Sequence, residues 1–281
     1  RCTQFKSKIL IMKKLLFLLL FLTTYLNVYS QEKINGILDS LNISISTISF
    51  HPEGDILIST GLNQKDMSQY LLVITKSEGT IQIDTLASQR PNRSAFSQDG
   101  EYLIHNYLDE VSDEFYTVKR KYDGPNNIGA PFYLSESLFA DNMYYYFMDD
   151  HQNFYYYTFV RENRSEGGLL LSKFENGKYQ KPEILFPDRE NAVAYSPLLL
   201  DDKTMVFAQH GIIDDTFRGI HYSLKDDSGE WSEPKLLSEI PMSNVITYYD
   251  KETVAFLVAK NNRIQFYDKA NLLSIIQKRE N

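Results

Sequence analysis

Cysteine is all but missing from this sequence. The one copy in 281 residues is Cys2. No disulfide framework is available, so a stable fold has to rest on a buried core. Long apolar runs are missing too. The longest, Leu15 to Leu22, is far shorter than the roughly 20 residues a membrane-spanning helix needs. Positive charge is scarce: 29 Lys and Arg stand against 37 Asp and Glu, a formal charge of -8. That balance argues against nucleic acid and anionic membranes as partners. Catalytic signatures are also absent. There is no Gly-x-Ser-x-Gly elbow, no Gly-rich phosphate loop, no His-x-x-x-His pair and no Asp-x-Asp-x-Asp-Gly calcium loop. Nothing in the sequence calls for a cofactor or a metal.

What is present begins with a processing signal. Met12-Lys13-Lys14, the apolar run and the small Ser30 have the layout of a secretory signal peptide. Residues 1–11 read as an upstream extension. The expectation is that residues 1–30 are removed and residues 31–281 form a single domain, periplasmic or secreted, with no membrane span. Removal takes away Arg1, Lys6, Lys8, Lys13 and Lys14 and no acid, leaving 24 bases against 37 acids and a charge of -13.

Tyr and Phe are abundant, 20 and 17 copies against one Trp, and such residues favour pleated, half-buried surfaces. Helical periodicity after residue 30 is confined to 31–41 and 270–279. The domain is expected to be all-β.

Two phrases repeat. Gly177-Lys178-Tyr179-Gln180-Lys181-Pro182-Glu183-Ile184-Leu185 returns 52 residues later as Gly229-Glu230-Trp231-Ser232-Glu233-Pro234-Lys235-Leu236-Leu237. Upstream, a strand, a tight polar turn and a second strand recur. The copies start at Phe50-His51-Pro52-Glu53-Gly54, Phe96-Ser97-Gln98-Asp99-Gly100, Met148-Asp149-Asp150, Tyr195-Ser196-Pro197 and Tyr249-Asp250-Lys251, at intervals of 46, 52, 47 and 54 residues. Asp-Gly and Glu-Gly supply the positive φ of a tight hairpin. One further strand follows in each unit: Tyr70–Thr75, Phe115–Arg120, Leu169–Phe174, Gly219–Leu224 and Arg263–Tyr267. The Pro-x-x-Leu ending reads as an outer strand, because proline costs no ladder bond at an edge. Four strands per roughly 45–50 residues is the blade of a β-propeller, here with five blades. The fifth unit lacks its outer strand. Residues Ile34–Leu41 hold the right spacing to supply one and close the ring, with Leu272–Ile276 as the alternative.

The turn phrases at Pro52-Glu53-Gly54 and Gln98-Asp99-Gly100 resemble the Ser-Pro-Asp-Gly repeat of TolB-type, WD-like β-propellers of exported bacterial proteins. The resemblance covers residues 45–268. It implies a propeller fold and raises six blades as an alternative count, since TolB propellers have six. Units three to five keep neither the Pro nor the Asp-Gly in full, so the fold carries over and a specific partner does not.

Candidate site residues are few. The triplets Tyr144-Tyr145-Tyr146 and Tyr155-Tyr156-Tyr157 suit either blade packing or an aromatic patch for a protein or glycan, with Tyr144, Tyr146, Tyr155 and Tyr157 as its members. His105 and His210 end second strands, where they approach the ring's centre or a rim. His51 reads as a solvated turn residue. The doublets Asp149-Asp150, Asp201-Asp202, Asp214-Asp215 and Asp226-Asp227 read as hairpin caps. Lys119-Arg120-Lys121 reads as a charged strand edge. The leading expectation is a non-catalytic module that binds a protein partner in the cell envelope. The alternative is a glycoside hydrolase or glycan-binding propeller. The two separate at the funnel mouth, where a glycosidase needs carboxylates facing each other at roughly 5–10 Å.

Overall fold

The computed structural model describes residues 31–280 apart from 42, 61–68, 78–79, 88–92, 110–113, 135–137, 139–142, 159–166, 189–191, 212–216 and 259–262. The leader read at 1–30 and the doublet Asp214-Asp215 therefore lie outside the described residues.

The chain is a five-bladed β-propeller. Its innermost strands are β1 (Ile45–Phe50), β5 (Ser94–Phe96), β9 (Met143–Met148), β15 (Val193–Asp201) and β19 (Ser243–Tyr248). They touch in cyclic order, and β19 returns to β1 to close the ring. Each begins an antiparallel meander running outward. The first blade continues through β2 (Ile56–Thr60), β3 (Leu71–Ser77) and β4 (Thr80–Ala87). The second continues through β6 (Tyr102–Asp109), β7 (Glu114–Lys121) and β8 (Phe132–Tyr133). The third uses β10 (Phe154–Thr158), β11 (Gly168–Ser172) and β14 (Glu183–Pro187), with a side hairpin of β12 (Phe174–Glu175) and β13 (Lys178–Tyr179). The fourth uses β16 (Thr204–His210), β17 (Phe217–Leu224) and β18 (Lys235–Leu236), and the fifth β20 (Thr253–Val258) and β21 (Arg263–Asp268).

Every side chain of β2, β11 and β20 is buried. A blade in mid-ring has a neighbour on each face, so its middle strands read as continuous apolar runs rather than alternating ones. The core is accordingly a series of inter-blade layers. Leu57, Val73, Phe96, Leu103 and Tyr122 fill the first-to-second junction. Ile104, Met148, Phe154 and Tyr156 fill the second-to-third. Ile48, Phe50, Ile58, Ala255, Leu257 and Ile264 fill the seam where the ring closes.

The fifth blade has three strands, β19, β20 and β21, among the described residues. The N-terminal segment does lie along its open edge, as the spacing implied, but residues 31–41 form a helix rather than the expected strand. The reason is periodicity. Ile34, Ile37, Leu38 and Leu41 recur at helical intervals, and all four pack into the closing seam. The flank beside this stripe carries Gln31, Asn35 and Asp39, four residues apart. Asn35 Oδ1 accepts the Ile264 N–H at 2.8 Å, and Asn35 Nδ2 donates to the Ile264 carbonyl at 3.1 Å. Gln31 Oε1 accepts the Phe266 N–H at 3.1 Å, and Asp39 pairs with Arg263 at 2.9 Å. Side-chain amides thus do for the edge of β21 what a fourth strand's backbone does elsewhere.

The second helical candidate forms too, over Lys269–Glu280, so Leu272–Ile276 does not supply the outer strand. Asp268 caps its start by accepting the Asn271 N–H at 2.9 Å. Leu272 and Ile276 are buried against the third-to-fifth-blade core. Glu280 reaches the fourth blade, where it accepts the Tyr222 hydroxyl at 2.7 Å and pairs with Lys235 at 2.6 Å.

Candidate functional site

Four of the five inner strands, all but β9, place small hydroxyl-bearing residues against the ring's axis. In β1, Ile48 and Phe50 point into blade layers, while Thr47 and Ser49 face the ring's axis. These hydroxyls join blades. Thr47 Oγ1 accepts the Ser94 N–H at 3.2 Å and Ser49 Oγ accepts the Phe96 N–H at 3.0 Å. In the fourth blade Ser196 Oγ accepts the Ile246 N–H at 2.9 Å. Ser196 holds a φ of 54° inside β15 to do so, a left-handed conformation that non-glycine residues rarely adopt. The sequence places the end of the fourth inner strand at Tyr195. The strand in fact runs on through Ser196 and Pro197 to Asp201.

Ringed by these hydroxyls, the channel narrows to a cavity of about 20 Å³, also lined by Arg93, Tyr145 and Tyr146. That is room for about one water. Arg93 lies over the Tyr145 ring at 4.5 Å and donates to Ser46 Oγ.

Where the inner strands end, the channel opens into a cleft of about 820 Å³. Its walls are Phe50, Phe96, Phe147, Tyr248 and Tyr249 with Leu198 and Ile246, and its rim carries Asp150, Asp250, Glu252 and Asp268 beside Lys251 and Lys269. The Lys269 ammonium lies 5.5 Å from the Tyr248 ring. Burial raises the Tyr248 phenol above its ordinary value, and Asp201, Asp150 and Glu252 push it the same way. Its hydroxyl is engaged with the Leu199 carbonyl at 2.5 Å. Among the described residues the narrow channel is lined by neutral side chains apart from Arg93, and the carboxylates line the cleft at its mouth.

Several of the acids are turn caps, as the sequence suggests. Asp149 Oδ1 accepts the His151 and Asn153 N–H groups at 2.9 and 2.8 Å. Asp201 accepts Lys203 N–H, and Asp250 accepts Glu252 N–H, each at 2.9 Å. Asp226 does the same for Ser228 and Glu230 in an outer turn. Asp150 and Glu252 are exposed on the rim. Among the described residues no group of three or more His, Cys, Asp or Glu is placed to hold a metal ion.

In the first blade a histidine takes the capping role. His51 Nδ1 accepts the Glu53 N–H at 3.2 Å, and its Nε2 bonds the Gly100 carbonyl at 3.0 Å. The ring packs edge-on to Phe96, with centroids 5.1 Å apart. His51 is thus a half-buried junction between two turns, not a solvated residue. Gly100, with φ of 79°, lets the turns meet, since a Cβ there would lie 2.5 Å from His51 Nε2.

Of the six residues singled out in the sequence, Tyr146 lines both channel and cleft. Its hydroxyl sits between the Met143 carbonyl, at 2.7 Å, and Asn106 Oδ1. Tyr155 is buried in the layer between the third and fourth blades. Tyr157 is half-buried, with its hydroxyl 3.2 Å from Asp188 Oδ2, and Tyr144 is half-buried opposite it on β9. Burial raises the phenols of Tyr146, Tyr155 and Tyr157. His105 is buried on β6, and its Nδ1–H donates to the Asn106 carbonyl at 2.9 Å. Burial lowers its pKa to about 4, with Arg120 adding to the effect and the carbonyl opposing it. His210 is half-buried at the end of β16. The six are not gathered into one place.

No family model matches the sequence, and no curated protein matches it. Solved structures do resemble the chain in outline. TolB from Acinetobacter baumannii aligns at 13% identity with a TM-score of 0.49, covering 81% of this chain and 52% of that one. Prolyl oligopeptidase B from Galerina marginata aligns at 12% and 0.46, covering 81% of this chain and 32% of the other. The β-xylosidase/α-arabinofuranosidase CoXyl43, from a compost metagenome, also aligns at 12% and 0.46, covering 81% and 91%. This chain spans about half the length of that TolB and a third of the oligopeptidase.

Sequence reasoning missed two features. The aromatic cleft gathers the ends of β1, β5, β9 and β19, far apart in the sequence, so no local run announces it. Lys119, read as part of a charged strand edge, is instead buried beneath the β12–β13 hairpin. Its ammonium lies 4.7 to 5.3 Å from the rings of Tyr102, Phe132, Phe174 and Tyr179 and bonds Gln152 Oε1 at 3.0 Å. Burial lowers it to about 8, opposed by Asp99. The fourfold aromatic contact ties the second blade to the third.

Proposed function

We propose that this chain is an exported, non-catalytic propeller, of the TolB type its turn phrases resemble, that binds an extended basic segment of a partner protein. The cleft at the channel mouth carries the reading. Aromatic walls offer apolar faces, as protein interfaces favour. Asp150, Asp250, Glu252 and Asp268 around the rim suit lysine or arginine side chains. Below it the hydroxyl-lined channel admits about one water, so a ligand lies across the mouth rather than through the ring. The leader-like segment at 1–30 supports an envelope or extracellular location.

Calorimetric titration of the protein with two peptides of equal length tests this, one rich in arginine and tyrosine and one rich in glutamate. The basic peptide binds, and Asp150→Lys with Glu252→Lys weakens it at least tenfold while near-ultraviolet circular dichroism stays unchanged. Equal affinity for both peptides overturns the reading. So does release of sugar from aryl glycosides by the wild type, which would put a glycosidase in its place.

A further inference from the structure

The five outer edges of the propeller are not treated alike. The edge of β21 is bonded by Gln31 and Asn35 of the N-terminal helix. The edge of β18 receives the Arg279 guanidinium, which donates to the Leu236 carbonyl at 2.8 Å. The strand β8 is two residues long. The strand β14 follows Pro182 and ends in Pro187. Short edges, prolines and covering groups are the usual protections against pairing with another chain. The strand β4 has none of them among the described residues. It runs eight residues without proline and exposes Ile81 and Ile83 at 46% and 45%.

We propose that β4 is a homodimer interface, in which two copies of this chain pair their β4 strands antiparallel into one continuous sheet. The sequence of the strand is self-complementary in one register. A two-fold axis through Ile83 sets Ile83 beside its mate, Ile81 opposite Thr85, and Gln82 opposite Asp84. Within the strand Gln82 Nε2 already donates to both Asp84 oxygens, at 3.1 and 3.0 Å. Across the axis the same amide meets the other copy's carboxylate, twice. Shifting the axis to Asp84 would instead set two carboxylates side by side, which is destabilising. The contact uses the same patch on both copies, so it closes at two and does not grow into a fibre.

Sedimentation velocity of the full chain over a wide concentration series tests the pairing. A reversible monomer–dimer equilibrium is expected. Ile83→Lys weakens association at least tenfold. Gln82→Glu, which faces two carboxylate pairs across the axis, weakens it roughly three- to tenfold, and Gln82→Lys strengthens it. Both positions are exposed, and unchanged near-ultraviolet circular dichroism verifies the fold. A monomer at every concentration overturns the proposal. So does a dimer indifferent to Ile83→Lys, or an open-ended polymer.

Discussion

His105 shows what a buried titratable side chain does to this protein at acid pH. Its folded pKa is about 4 against an ordinary 6.5. The folded-state value is depressed, so the unfolded chain binds the proton first as pH falls. Stability is full above 6.5 and is lost progressively between 6.5 and 4, amounting to about 3 kcal/mol for this residue. His221 is shifted the same way by burial. Urea unfolding at a series of pH values should show the decline, and His105→Gln should flatten it between pH 6.5 and 4 while changing little at pH 8. An unaltered pH profile in the variant would contradict the assignment. Ser196 makes a second residue-scale case. Its hydroxyl is the partner of the buried Ile246 N–H, so Ser196→Ala should cost about 1–3 kcal/mol through that orphaned donor, read as a lower urea midpoint at constant m-value.

The elements were legible where a local pattern dictates them. Glu53-Gly54 and Asp99-Gly100 turns, with Gly54 and Gly100 at φ of 105° and 79°, marked two inner hairpins. Pro182 and Pro234 sit just before β14 and β18, where an outer strand tolerates them. The N-terminal segment was harder, since spacing along the chain says where it lies and not how it folds. The period of Ile34, Ile37, Leu38 and Leu41 held the answer. The hydroxyls of Thr47, Ser49 and Ser196 carry no local pattern that marks them. Their partners are some 47 to 50 residues away, beyond the reach of any local pattern, and the cleft is non-local in the same way. At this scale the test is Asn35→Leu. It keeps a good helix former but strands the Ile264 N–H and carbonyl. Hydrogen exchange should quicken at Ile264 and Phe266 while β2 and β10 stay protected. Equal exchange in variant and wild type would remove the edge-sealing role of the helix.

For the molecule as a whole, charge is the term that composition fixes. The full sequence carries -8, and the ion pairs among the described residues are largely surface contacts. Lys203–Asp227, with side chains 63% and 96% exposed, is typical. Such pairs contribute little, so the net repulsion among acids dominates the salt response. Raising ionic strength from low values to about 0.15 M shortens the screening length to about 8 Å. The thermal midpoint at pH 7 should rise over that range, as differential scanning calorimetry would measure. A falling midpoint would mean that specific ion pairs outweigh the repulsion.

The amide clamp between Asn35 and Ile264 also sets an order of events in time. Its partners are separated by 229 positions. A ribosome adding roughly 5–20 residues per second takes on the order of 10–50 s to cover that distance. Throughout that interval blades one to four are synthesised while the helix's amides have no strand edge to grip and the fifth-blade side of the seam that covers its apolar face is missing. The last blade to be made is the one that houses the helix preceding the first blade, so the newborn chain has a vulnerable period whose length its own topology dictates.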